Sequence, residues 1–294
     1  MADGPVRLPG GGLKQPGPVA PERIVAVPAT VTSHALTLEP GRTLLVAIHE
    51  AASRLGVRGA TVTLEGGAFA ALPYVIPASS PDADHVAYFS AERTAPAGSR
   101  LTDAACTYGF EGPAPIVHCH AVWTEPDGTV RGGHIVTERA VIGEPIVARL
   151  FAVGGAGFER APDPETNFTL LGPVACPDGS GAGRAVVLRV RPNEEIGDAV
   201  ERACREAGVR HGRLCGGVGS LVSPRFADGR QVASIATEVF VTTGEIAPDV
   251  DGVPRARIAV ALADMEGAVH RGLLARGRNP VCITFELVIE EAGA

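Results

Sequence analysis

The stretch IVHCHAVWTEPDGTVRGGHI, Ile116–Ile135, decides the reading of this chain. Its first eight residues have strand composition, and Glu125-Pro126-Asp127-Gly128 is turn chemistry. Side chains alternate across a strand, so His118 and His120 share a face and Cys119 points to the other. A three-residue loop of Pro126, Asp127 and Gly128, with Gly128 left-handed, pairs Glu125 with Thr129 and sets His134 opposite His120. Three imidazoles then converge on one face of one hairpin, the donor set of an open zinc site with a vacant fourth position. A two-residue loop instead sets His134 opposite Cys119, unless Gly132 and Gly133 host a bulge. The two glycines equally suit a close approach of another group to the backbone.

Working outward, the chain repeats itself. Leu44, Ile48, Ala51 and Leu55 form a stripe at helical spacing, and an offset of 152 maps them onto Ile196, Val200, Ala203 and Ala207. An offset of 135 aligns Asp103 and Gly109 with Glu238 and Gly244, and an offset of 139 aligns the hairpin with a second one around Glu266-Gly267. Under that mapping His118 becomes Arg257, His120 becomes Ala259 and His134 becomes Leu273. The second copy therefore keeps the scaffold and drops the histidines, so the fold does not require them. Gly/Pro-rich residues 1–25 read as a tail or an arm lying on a surface, and 173–183 as a linker. The copies are expected over 26–172 and 184–294.

Composition narrows the function classes. Of 294 residues 45% are apolar and 20% charged, which suits a soluble globular protein with room for two cores. No apolar run is long enough to cross a membrane and no secretory signal layout is present, so a cytoplasmic location is expected. The six cysteines are scattered with no CxxC pair, as reduced thiols would be. A net charge of −7, with neither copy basic, argues against nucleic acid as the main partner. Walker A, GxSxG and Rossmann signatures are missing; after Gly216-Gly217-Val218-Gly219 the run Val222-Ser223-Pro224 argues against the helix a dinucleotide loop needs.

HxH, an Asp-Gly turn, GGH and then Phe158-Glu159-Arg160-Ala161-Pro162-Asp163 together resemble the plant and prokaryote conserved (PPC) domain. Gly216–Leu221 and Glu238–Gly244 look like the same family's glycine loop and central strand in the second half. The resemblance spans about residues 30–291 as two tandem copies. It implies an α+β fold, with a mostly antiparallel sheet flanked by a few helices in each copy. It also implies metal-ligand roles for His118, His120 and His134, usually with zinc, and a trimer, here of two-domain chains. The chain departs from the family in lacking an AT-hook core, in losing the histidines from the second copy, and in carrying Glu65-Gly66-Gly67-Ala68-Phe69 where the second copy has the GxGS loop. That division suggests a site shared across domains or subunits.

An open metal site can polarise a carboxylate or carbonyl, so the leading expectation is a metal-dependent lyase or hydrolase acting on a small carboxylate-bearing substrate. Tyr108 and Glu111, just before the ligand strand, are candidates for proton transfer. Arg131, Arg160 and Asp163 are candidates for substrate binding. Arg160 and Asp163 also read as a salt-bridged structural loop. The alternatives are a DNA-binding regulator, by family analogy, and a binding module whose metal is not catalytic.

Overall fold

A computed structural model of the chain describes residues 5–8, 10–176 and 184–292. Among these, eighteen strands form one hydrogen-bonded network and two more a small ribbon; only two helices are present, α1 (Leu44–Arg54) and α2 (Ile196–Ala207). The fold is thus largely antiparallel β, which corrects the α+β expectation of a few helices per copy. Each copy has one helix covering one face of its sheet, and almost everything else pairs as strands.

The helices form where the repeated stripe placed them. In α1 the Thr43 hydroxyl accepts from the Val46 amide, and Leu44, Ile48 and Ala51 are buried. In α2 the Glu195 carboxylate accepts from the Asp198 amide, Ile196, Val200 and Ala203 are buried, and Gly208 ends the helix at φ 73°. Leu55 leaves the stripe, because it sits at the α1 C-cap and is partly exposed. Each helix seals its own core, the first centred on Trp123, Tyr108 and Leu64, the second on Phe285, Phe226 and Leu287.

The strand Ile24–Leu38 serves both copies. Residues 24–29 pair with 190–185 of the second copy, and residues 30–38 with 154–146 of the first. The expected boundary at 25/26 therefore falls inside a continuous strand. The preceding arm lies on the second copy: Leu13 is fully buried, Asn193 bonds both its amide and its carbonyl, and Gln15 Nε2 donates to the Cys282 carbonyl. Of the expected linker, 173–175 complete the strand Thr169–Ala175, while 177–183 lie outside the described residues.

The copies meet face to face. Ala105 and Val122 of the first pack against Val218, Phe240 and Ala261 of the second. Across this junction the Arg271 guanidinium makes a bidentate pair with Asp103, at 2.6 and 2.7 Å. Both hairpins use the same turn: Glu125 N donates to Thr129 O with Gly128 at φ 87°, and Asp264 N donates to Ala268 O with Gly267 at φ 79°.

Candidate metal centre

That turn sets the register. Thr124 pairs with Val130, and the ladder runs unbroken to His120 opposite His134. No bulge intervenes at the glycines. A Cβ on Gly133 would stand 2.6 Å from the Val75 carbonyl oxygen of the neighbouring strand, and one on Gly132 would press Ala263 and Val269 of the second copy. Close approach, the second of the two readings, is the reason for both glycines.

Ligand-capable atoms of His118, His120 and His134 lie within 4.8 Å of one another. His118 Nε2 and His120 Nε2 are 3.1 Å apart. Two imidazoles on one tetrahedral zinc would put those atoms about 3.3 Å apart. The second copy holds the outer nitrogens: His120 Nδ1 lies 2.8 Å from the Val239 carbonyl and His118 Nδ1 2.6 Å from Glu286 Oε2. Such outer partners fix ring orientation and leave Nε2 facing inward. Glu238 Oε2 lies 2.7 Å from His120 Nε2, on the inward side.

With its Nδ1 proton on Val239, a neutral His120 ring offers a lone pair at Nε2. That lone pair faces a carboxylate oxygen and a second imidazole nitrogen, and electron-rich atoms this close need a cation among them. In the metal-free protein the cation is a proton: burial pulls the His120 pKa down, but Glu238 and the Val239 carbonyl more than offset it and hold it above its usual value. Glu238 is correspondingly held low, burial notwithstanding, chiefly by His120. Burial pushes His118 and His134 down to about 3, so both are neutral, the form a metal ligand needs. It pushes Glu286 up to about 8.

The residues fit a bound cation. Among the described residues His134 Nδ1 is buried with no hydrogen-bond partner, a state that costs about 1–3 kcal/mol unless something satisfies it. His118, His120 and His134 together form a three-nitrogen donor set suited to zinc, with the Glu238 carboxylate beside it.

The other expected site residues fare differently. Arg160 lines the cavity beside His118 and His134, with Nη1 3.3 Å from Glu111. Glu111 itself is an exposed partner of that guanidinium and does not line the cavity. Tyr108 is a correction: it is fully buried in the first core, with its hydroxyl 2.9 Å from His49 Nδ1. Arg131 is another, since strand alternation puts it on the opposite face of the hairpin from His134. Asp163 is buried and ion-paired to Arg189 and Arg191, while its Oδ1 accepts from the Glu165 and Thr166 amides; it is a structural anchor and does not pair with Arg160.

Glu238 and Glu286 were not foreseen as site residues. Glu286 did carry a signal: it is the one acid of the mostly apolar run 281–289, between Phe285 and Leu287, where an unpaired charge is costly.

The Plants and Prokaryotes Conserved (PCC) domain model matches residues 26–151 and again 178–293. The chain belongs to this family. It is a tandem PCC protein, as the resemblance implied. No curated protein matches it. Solved structures similar to parts of it include a metal-containing protein from Archaeoglobus fulgidus (20% identity, 47% of this chain and 91% of that one, TM-score 0.38). Others are a PPC protein from Pyrococcus horikoshii (16%, 48% and 94%, TM-score 0.38) and a candidate DNA-binding protein from Ralstonia eutropha JMP134 (17%, 47% and 89%, TM-score 0.39).

Proposed function

We propose that this tandem PCC protein is a metal-dependent enzyme, of lyase or hydrolase type, acting on a small carboxylate-bearing substrate. His118, His120 and His134 would hold the metal, leaving a coordination position open beside Glu238, and zinc is the ion their chemistry suits. The observation that carries the reading is the inward convergence of the imidazoles while the second copy engages the outer nitrogens of His118 and His120. A purely structural zinc site would be closed on all sides; this one borders a cavity lined by Phe89, Phe168 and Leu170.

A bound zinc would supply Lewis acidity toward an oxygen of the substrate. The chain's own groups do the rest. Glu238 Oε2, already beside His120 Nε2, is positioned to accept and return a proton. Glu286 and Val239 keep the two rings in one orientation, and Arg160 offers a positive charge toward a carboxylate.

Elemental analysis of the purified chain tests this, with His118→Ala/His120→Ala beside the wild type. About one metal ion per chain is expected, lost in the double variant while circular dichroism is unchanged. A wild type that takes up no metal when zinc is supplied would remove the reading.

A further inference from the structure

The cavity above the histidines has two compartments of different character. The inner one is walled by Ala87, Phe89, Phe168, Leu170, Ala236 and Ile283, with imidazoles and Glu238 at its floor. Its roof is made of rings from two places. Tyr88 and Phe89 come from the ribbon Pro77–Ala78 with Tyr88–Phe89, and Phe168 comes from the turn that Asp163 anchors. Tyr88 lies nearly parallel to Phe168 at 5.7 Å, and Phe89 stands 5.2 Å from His134. Tyr88 and Phe89 remain about 40% exposed, so ring surface is left uncovered at the opening. The roof is tied in place, because Asn167 Nδ2 donates to the Asp84 carbonyl at 2.8 Å.

The outer compartment shares His118, His134 and the roof rings, and adds Arg160. Arg160 Nε donates to the Thr169 carbonyl and Nη1 to Glu111, so among the described residues Nη2 is unengaged. Of the two acids lining this compartment, Glu286 is committed to His118 and Thr284, and Glu138 is exposed at the rim.

We propose that this cavity takes a monocarboxylic acid on a planar apolar body, an aryl-acid type of molecule, with its ring under Phe89 and Phe168 and its carboxylate toward Arg160 and the metal. This deepens the reading of the same site and rests on it. Apolar walls with a few convergent polar groups are what such a ligand needs, and stacked rings favour a flat partner. An aromatic roof alone would also suit an organic cation. The arginine, with the positive charge a bound metal would bring beside Glu238, favours the acid over that choice.

Calorimetric titration of the metal-loaded full chain with acetate, phenylacetate and benzylamine tests the assignment. Phenylacetate is expected to bind about tenfold or more tighter than acetate, since only it fills the apolar compartment, and benzylamine should not bind. Phe168→Ala should erase most of that preference without changing metal content. Arg160→Gln should weaken both acids alike. Equal affinity for the two acids, tighter binding of benzylamine, or phenylacetate binding indifferent to both substitutions would overturn the proposal. A chain without metal would refute the metal reading alone, and the acetate–phenylacetate comparison on that chain still decides this one.

Discussion

His120 concentrates the electrostatics of the centre, because its inward nitrogen faces a carboxylate and a second imidazole at hydrogen-bonding distance. Replacing Glu238 by Gln keeps the shape and removes the negative charge. Metal affinity is expected to fall about 10- to 100-fold with the fold intact, measured by competition with a chromophoric chelator. Gly133 makes the opposite kind of prediction. Because the atom that a Cβ would strike is a backbone oxygen, Gly133→Ala should cost about 1–3 kcal/mol in denaturant unfolding and displace His134. The three histidines and their register were legible in sequence because turn chemistry and period-2 alternation are local rules. Glu286 and Val239 were not, since they reach the hairpin from the other copy, and no local pattern encodes that contact.

Among the elements, α2 carries a buried acid with a measurable signature. Glu201 is almost fully buried and receives Arg276, Arg255 and the Ala256 amide. Burial would raise its pKa, yet these partners more than offset that and hold it below the usual carboxylate range. A depressed folded-state value means the carboxylate adds stability above its unfolded pKa of about 4.3, stability that vanishes as pH falls through the folded value. Unfolding free energy should therefore drop as pH falls below about 5, and Glu201→Gln should flatten that stretch of the curve. At neutral pH, Glu201→Ala is expected to cost about 1–3 kcal/mol, because the Ala256 amide loses its acceptor while Arg255 and Arg276 keep Asp249 and Asp198. Helix positions were readable because capping and a 3.6-residue stripe are local, and the stripes proved to be core except at their C-terminal ends, Leu55 and Ala207. Tyr108 misled the reading for the complementary reason. Its nearness in sequence to the ligand strand says nothing about which face it takes, and it takes the one turned to α1.

At the scale of the molecule, the two copies share a strand, a face and a site. Heat should accordingly unfold them in one calorimetric transition and not two, since melting either copy strips partners from Ile24–Leu38 and uncovers the Ala105–Phe240 face. The duplication was visible in the offsets and the division of motifs suggested a shared site, but which residues cross between the copies was not legible. Asp103 and Glu238 occupy equivalent positions, and each reaches the other copy's hairpin side. One contact became an ion pair with Arg271, and the other joined the histidines. The shared strand also bears on how the chain is made. A ribosome delivers Ile24–Ala29 long before the segment Ala185–Val190 that will hydrogen-bond to it. The nascent first copy must therefore wait with a bare sheet edge, and with imidazoles still lacking both carboxylates. Any metal that entered during synthesis would meet the three histidines without Glu238 and Glu286 beside them.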